Sequence, residues 1–171
     1  MKMNRTFATA NHITFSIPPI KELLERYVGS GSGWVDPFAR NSKAAEITND
    51  MNPETTAQYH LDAQDFIKEV PDRIRGVLFD PPYTYTQISE HYKLVGKKAT
   101  YKDTSYNFYR RIMLPLAEKI EEGGYAISCG WNSGGFGKKL GFEIVEILLV
   151  AHGLHHNDTI VTVERKLVSN N

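Results

Sequence analysis

Four residues at the end of a hydrophobic run have types that could do chemistry together. Residues 80–83, Asp-Pro-Pro-Tyr, directly follow the apolar residues 77–79, which predict a buried strand. The two prolines cannot continue a β-ladder, because neither has a backbone N–H and both fix φ. The sequence thus sets a carboxylate, a rigid turn and an aromatic ring at a strand end. We interpret this group either as a stiff turn or as a clamp for a flat, polar molecule.

An alternation of strands and helices must position this turn. We predict strands at 34–38, 47–50, 58–61, 75–79, 124–129, Phe142–Ala151 and Thr159–Lys166. We predict helices at 18–28, 43–46, 63–69 and 104–121, a helix from Asn52, irregular chain at 1–17 and a long polar loop after 83. Alternating strands and helices indicate a parallel sheet, and the last two strands indicate an antiparallel edge. The expected fold class is α/β, with a mixed seven-stranded sheet.

Four predicted strands end at or next to an acidic residue. These residues are Asp36, Asp50, Asp62 and Asp80. In open α/β sheets, ligands bind beyond the carboxyl ends of the strands, so we expect these side chains to converge on a ligand site. Structural roles remain as alternatives. Asp50 and Asp62 could cap helices, Asp36 could belong to a simple turn, and Asp80 could serve as a cap or turn acid.

Length and composition limit the class of protein. The 171 residues suit one domain, 1–171, without a separate target-recognition domain. Lys plus Arg equals Asp plus Glu at 20 each, so no overall positive field attracts nucleic acid, although local patches could. The single cysteine, Cys129, suits a reducing cytosol. No signal peptide, membrane span or metal-ligand cluster is evident, and we expect a cytoplasmic protein with no membrane partner and no metal.

The acid-ended strands and the Asp-Pro-Pro-Tyr run together resemble a known family. A DPPY run after a hydrophobic strand resembles the signature of amino-group nucleic-acid methyltransferases, which methylate adenine N6 or cytosine N4 with S-adenosylmethionine. Residues 18–26 resemble the helix before their cofactor loop, residues 36–38 are similar to their first acid-ended strand, and 49–53 and 61–66 to the next two. The resemblance covers roughly residues 15–165 in order. It implies a Rossmann-like methyltransferase fold of the compact type carried by phages or mobile elements, acting in a bacterial or phage-infected cytosol.

The resemblance also implies a set of cofactor-binding residues. They are Pro19, Lys21, Asp36, Pro37, Phe38, Ala39, Asn41, Asp50, Met51, Asp62, Ala63 and Asp80. One departure concerns residues 40–42, Arg-Asn-Ser, where the family usually has Gly-Ser-Gly. Glycines there allow positive φ and close approach to the cofactor. Asn41 tolerates left-handed geometry, and Arg40 could reach the carboxylate of the cofactor.

The resemblance assigns the chemistry to residues 80–83. Asp80 and the Pro81 carbonyl would accept the two N–H groups of an exocyclic amine, Pro82 would stiffen the turn, and Tyr83 would stack on the base. The base must be flipped or already unpaired. The implied activity is adenine-N6 methylation of DNA, with RNA or cytosine N4 as alternatives. Two other classes remain: a non-catalytic nucleic-acid-binding protein, or methylation of an amide nitrogen in a protein or small molecule.

Basic and aromatic residues that follow the turn suggest contacts to nucleic acid. The predicted contact residues are Tyr85, Lys93, Lys97, Lys98 and Lys102 in this segment, with Trp131 and Asn132 in the glycine-rich loop 130–137. Alternatively, the segment is a solvated loop that leads into a helix with packed tyrosines. The expected partner is DNA or RNA. A homodimer or a partner protein is an alternative source of target recognition.

Overall fold

A mixed β-sheet organises the computed structural model, which describes residues 1–101, 103, 107–153 and 156–168. The strands are β1 (Lys2–Phe7), β2 (Trp34–Asp36), β3 (Ile47–Thr48), β4 (Ile74–Phe79), β5 (Ile120–Gly130), β6 (Phe142–Ala151) and β7 (Thr159–Lys166). The helices are α1 (Pro18–Tyr27), α2 (Ala63–Phe66), α3 (Tyr85–Leu94) and α4 (Phe108–Lys119), with short 3₁₀ segments at Thr14–Ser16, Ile67–Glu69 and Lys138–Leu140. In the described part of the chain, no helix is both long and apolar enough to cross a membrane.

The strand order brings the ends of β2, β3 and β4 together. The seven described strands are arranged β1-β6-β7-β5-β4-β2-β3. All neighbours are parallel except β7, which runs antiparallel to β5 and to β6. The carboxyl ends of the parallel strands therefore lie at one edge of the sheet, where α/β proteins bind ligands.

Helices cover both faces of the sheet. On one face, α1 buries Leu23 in a cluster that includes Val161 of β7. On the other face, α2 and α4 pack into a second cluster that includes Phe66. Successive side chains of a strand point to opposite faces, so β4 contributes Val77 to one cluster and Leu78 to the other. Both are 0 % exposed, which makes β4 a central strand and fixes the position of the turn that follows it.

The α/β class, the mixed seven-stranded sheet and the antiparallel strand pair are confirmed. β6 and β7 have the predicted bounds, and α1, β2, β4, β5 and the helical turns at 63–69 overlap their predicted ranges. The predicted helix 104–121 corresponds to α4, which ends where β5 begins, and residues 104–106 lie outside the described residues.

The predicted antiparallel edge is wrong. β7 lies inside the sheet, and β1 pairs in parallel with the outer side of β6. β1 was expected to be irregular chain, because most of its side chains are exposed and give no apolar alternation. Conversely, the predicted strand 58–61 contributes only an isolated bridge between Asn49 and Tyr59.

Three local predictions are also wrong, each because a side chain satisfies the backbone in another way. Residues 43–46 form no helix, and the Glu46 carboxylate accepts the Gly33 N–H at 2.6 Å instead. No helix starts at Asn52, whose Oδ1 accepts the Glu54 N–H at 3.0 Å in a turn. The expected loop after 83 begins with α3, because Thr84 and Gln87 form a capping box at its first turn.

Candidate active site

A cavity of about 520 Å³ opens at the carboxyl ends of β2, β3 and β4. Three of the four predicted acids, Asp50, Asp62 and Asp80, lie in its wall. Other predicted cofactor residues in the wall are Pro37, Phe38, Met51 and Ala63. The sequence prediction of converging acids therefore holds for these positions. Among the described residues, no group of three or more His, Cys, Asp or Glu side chains is arranged to hold a metal.

The fourth acid, Asp36, lies buried at the end of β2 and is 0 % exposed. One carboxylate oxygen, Oδ1, accepts the Phe38 N–H at 3.0 Å, and the other, Oδ2, has no hydrogen-bond partner among the described residues. Burial raises the pKa of Asp36 well above its usual value, and the negative charges of Asp80 and Asp50 raise it further. Burial and the neighbouring charges of Asp80 and Asp50 therefore favour the neutral form of the Asp36 carboxyl.

The loop after β2 keeps a tight geometry although it lacks the family's glycines. Arg40 has a φ of 51°, the left-handed region that glycine usually fills. Its N–H donates to Asp50 Oδ2 at 3.1 Å, and its Nη1 donates to the His12 carbonyl at 2.9 Å. The left-handed residue is therefore Arg40 and not Asn41, whose Oδ1 accepts the Thr56 N–H.

Some predicted cofactor residues do not reach this cavity. Pro19, Lys21, Ala39 and Asn41 are absent from the residues that line it. Ala39 is buried at 3 % exposure, and Lys21 is exposed on α1. Arg40, which the sequence suggested could reach the carboxylate of the cofactor, does line the cavity.

Asp62 is both a helix cap and part of the cavity wall. Its Oδ1 accepts the Gln64 N–H at 2.9 Å at the start of α2, which confirms the capping alternative. Its Oδ2 accepts the hydroxyl of Tyr92 on α3. Burial raises the pKa of Tyr92, and this hydrogen bond raises it further. Tyr92 and Ile88 thus close the cavity with a helix that the sequence analysis missed.

The Asp-Pro-Pro-Tyr turn is held by contacts from two helices. Tyr109 of α4 donates its hydroxyl to the Pro82 carbonyl at 2.5 Å. Gln87 of α3 accepts the Tyr83 N–H at 2.7 Å through its Oε1. No local sequence pattern indicates the Tyr109 contact, because the partners lie 27 residues apart.

Asp80 lines the cavity from this turn, and one of its carboxylate oxygens already accepts a hydrogen bond. The Tyr83 hydroxyl donates to its Oδ1 at 2.5 Å. Burial raises the pKa of Asp80, while hydrogen bonds from Tyr83 and Thr14 and the charge of Arg40 act in the opposite direction. The carboxyl is thus a buried acceptor whose ionised form depends on its neighbours.

A second cavity, of about 460 Å³, lies beside the same turn. It shares Pro81, Pro82, Tyr83 and Trp131 with the first cavity. The rings of Tyr83 and Trp131 meet edge to face, with centroids 5.5 Å apart. The turn and Trp131 therefore form a partition between two cavities.

Glu164 of β7 fixes the glycine-rich loop that walls the second cavity. Its carboxylate accepts the N–H groups of Phe136 at 2.7 Å and Gly137 at 2.8 Å. Burial raises the pKa of Glu164, and these two hydrogen bonds oppose that shift. A Cβ on Gly135 would lie 2.0 Å from Glu164 Oε2, so only glycine fits there. No local sequence pattern indicates the role of Glu164, because its partners are 27 and 28 residues away.

The predicted nucleic-acid-binding residues fall in different places. Trp131 lines both cavities, and Asn132 lines the second. Lys93, Lys97 and Lys98 are exposed on α3 and the chain after it, but none of them lines either cavity. Lys97 lies close enough to Asp65 of α2 to lower the pKa of that carboxyl, after the larger effect of Lys68. Tyr85 is 48 % exposed, and Lys102 lies outside the described residues.

Comparison with known proteins identifies the fold. No family model matches the sequence, and no curated protein is similar to it in sequence. Among solved structures, TrmN from Thermus thermophilus matches with a TM-score of 0.57 and 14% identity, over 88% of this chain and 49% of that one. The chain therefore spans about half the length of TrmN.

Two further structures match over more of their own length. One is the 1,6-didemethyltoxoflavin-N1-methyltransferase of Burkholderia thailandensis with bound S-adenosylhomocysteine, with a TM-score of 0.58, 11% identity and coverage of 88% of this chain and 77% of that one. The other is the N-methyltransferase NodS of Bradyrhizobium japonicum WM9, with a TM-score of 0.58, 10% identity and coverage of 86% and 94%. The chain therefore has the Rossmann-like methyltransferase fold.

Proposed function

We propose that the protein is an S-adenosylmethionine-dependent methyltransferase that methylates N6 of adenine in nucleic acid, with DNA as the first candidate. One observation carries the proposal. Asp80, in a rigid turn at the end of β4, lines the same cavity as Asp50, which follows β3, and Asp62, which caps α2. An acceptor for an amine and a set of acids for a cofactor thus share one space.

The residues of the cavity suit this cofactor. S-adenosylmethionine carries a sulfonium and an ammonium group, and the carboxylates of Asp50 and Asp80 in the cavity wall would attract these cations. The guanidinium of Arg40, which lines the cavity, would hold the carboxylate of the cofactor. Fold neighbours are consistent with the assignment, since the Burkholderia enzyme contains S-adenosylhomocysteine.

Asp50 and Asp62 are assigned to opposite parts of the cofactor. Asp50 accepts two backbone N–H groups, which hold its carboxylate in place to bind the ribose hydroxyls. Asp62 and Tyr92 form the wall for the adenine ring. Each carboxylate oxygen has a second lone pair, so these contacts do not exhaust their capacity to accept hydrogen bonds.

The turn supplies the geometry for transfer. When bound, the cofactor supplies an electrophilic methyl group. Asp80 and the Pro81 carbonyl accept the N–H groups of the target amine, which directs its lone pair toward that methyl group. The Tyr109 hydrogen bond to Pro82 keeps the two acceptors in a fixed relation. Ionised Asp80 then takes the proton that the nitrogen loses, and its raised pKa favours this role.

A labelled methyl donor tests the proposal directly. The protein is incubated with it and with double-stranded DNA, single-stranded DNA or RNA, and mass spectrometry of the digested nucleosides identifies the methylated base. We expect N6-methyladenine, and at least about a 100-fold loss of transfer with Asp80→Ala, which removes an acceptor for the target amine. Calorimetry that detects no binding at millimolar cofactor contradicts the enzyme assignment. Transfer to glutamine peptides, without transfer to any oligonucleotide, points to an amide substrate instead.

A further inference from the structure

We propose that the second cavity binds the nucleotide next to the target, and that Arg110 and Lys139 hold its phosphate. This inference rests on the proposed function and names the substrate surface of the same site. Under this proposal the main phosphate contacts come from Arg110 and Lys139, and not from the lysines that follow residue 83.

The cavity has the walls of a site for a flat ring. Tyr109, Trp131 and Phe136 contribute aromatic surface, and Met113 and Leu140 contribute aliphatic surface. Its volume of about 460 Å³ lies within the range of roughly 300–1,000 Å³ that is usual for small-molecule sites. Bases of any sequence stack on such aromatic walls, because every base has a π-face.

The charged groups of this cavity are cationic. Arg110 comes from α4 and Lys139 from the 3₁₀ segment after the glycine-rich loop, and both are exposed. Among the described residues that line the cavity, none is Asp or Glu. No described carboxylate forms a salt bridge with either cation. In a chain with no net charge, this pair is a local positive site that fits one or two phosphates.

The position of the cavity connects it to the proposed chemistry. The two cavities share the wall formed by residues 81–83 and Trp131. A strand that places its target base against Asp80 therefore brings an adjacent nucleotide to the other side of this wall. Glu164 already holds the glycine-rich loop 130–137 in place. Nucleotide binding therefore loses little conformational entropy by ordering this loop.

Salt-dependent binding of an oligonucleotide tests the phosphate contacts. The probe is a fluorescent 12-mer of thymines with one central adenine, as DNA and as the uracil-containing RNA, with S-adenosylhomocysteine present. Arg110→Gln/Lys139→Gln should lower the slope of log affinity against log salt by about 0.7 to 1.4, since the pair fits one or two phosphates and each phosphate contact on a single strand contributes about 0.7. The matched control, Lys97→Gln/Lys98→Gln, removes the same charge from exposed lysines and should leave the slope nearly unchanged. Equal losses in both variants, or an unchanged slope in the first, overturn the proposal.

An abasic residue on either side of the adenine tests the base contact. At one of the two positions the affinity should fall about 5- to 100-fold, the range expected from one base–aromatic stack. No change at either position overturns the subsite, as does equally tight binding of a polyglutamate peptide. Methylation measured in parallel separates the two proposals. If methylation is intact but the salt slope and the abasic affinities do not change, only the subsite is contradicted. If they change as expected but no methylation occurs, only the enzymatic function is contradicted.

Discussion

The hydroxyl of Tyr83 donates a 2.5 Å hydrogen bond to Oδ1 of Asp80 within the same turn. The same ring packs edge to face against Trp131. The aromatic group that would stack on a base thus occupies an acceptor that the target amine needs. The amine and the Tyr83 hydroxyl would therefore compete at Oδ1, while Oδ2 of Asp80 accepts no hydrogen bond from Tyr83.

Replacement of Tyr83 by Phe should change the pH dependence of transfer. The variant keeps the ring for stacking but loses a hydrogen bond that lowers the pKa of Asp80. Asp80 acts as an acceptor in its ionised form, so a higher pKa moves the acidic limb of kcat/KM to higher pH. Above that limb, the activity should equal or exceed that of the wild type, because the amine no longer competes with the tyrosine hydroxyl.

The pH profiles of the wild type, Tyr83→Phe and the exposed control Tyr85→Phe provide the measurement. The control should follow the wild type. An acidic limb that stays in place or moves to lower pH in Tyr83→Phe contradicts the assigned role of this hydrogen bond.

Replacement of Asp80 by Asn should stabilise the fold. The folded-state pKa of Asp80 is raised, so its ionisation costs stability once the pH rises through that pKa. Asn accepts the same hydrogen bond without a charge. The Tm of the variant should therefore exceed that of the wild type at pH 8, and the difference should shrink as the pH falls below the folded-state pKa.

Thermal unfolding at pH 8 and in acid measures this effect, and each kcal/mol corresponds to about 2–4 °C for a chain of this size. Asp65→Asn is the control, because that carboxyl is exposed and its pKa is lowered by Lys68. A gain in Tm with Asp65→Asn, or none with Asp80→Asn, argues against a strained carboxyl at the turn.

Replacement of Arg40 by Gly should separate backbone strain from cofactor binding. Glycine relieves the left-handed conformation, which costs other residues about 1–2 kcal/mol, so the variant should be at least as stable as the wild type. The loss of the guanidinium should weaken S-adenosylmethionine binding about 10- to 100-fold, as for a hydrogen bond to a charged group.

Arg40→Ala is the matched comparison, since it loses the guanidinium but keeps the strained φ. Calorimetry should give similar cofactor affinities for the two variants, and thermal unfolding should show Arg40→Ala to be the less stable. Undiminished affinity in both variants removes Arg40 from the cofactor site.

Replacement of Gly135 by Ala should destabilise the protein by about 1–3 kcal/mol, the usual cost of overpacking. The new Cβ would lie 2.0 Å from the buried Glu164 carboxylate, which two backbone N–H groups hold in place. At Gly134 the nearest atom is the tip of the exposed Asn132 side chain, which can move. Gly134→Ala should therefore change stability by less than about 0.5 kcal/mol. Equal Tm values for the two variants contradict the role of Glu164 in fixing the loop.

The parts of the fold that follow from local pattern were predictable. The apolar run of β6 and the β-branched residues of β7 indicated these strands, and the prolines after Phe79 ended β4 as expected. β1 could not be found in this way, since it lies at the edge of the sheet and Met3 and Phe7 are both 67 % exposed. The capping box of α3 was legible in the sequence, but the surrounding lysines and tyrosines favoured a loop.

Of the site, only the acidic residues that follow individual strands could be predicted from the sequence. The convergence of Asp50, Asp62 and Asp80 follows from the rule that parallel strands end at one edge. The contacts that shape the site do not follow from it. Tyr92 reaches Asp62 across 30 residues and Tyr109 reaches Pro82 across 27, and both depend on how the helices pack on the sheet.

The place of β7 between β5 and β6 has a consequence for folding. These two strands run parallel and have β7 as their common neighbour, so the β1–β6 pair cannot join the β5-β4-β2-β3 part of the sheet before residues 159–166 leave the ribosome. Until then, β5 and β6 expose unpaired backbone groups along open edges, which favour association between chains. A chain truncated before Thr159 should accumulate as aggregate, whereas a chain that includes β7 closes both of these edges in one late step.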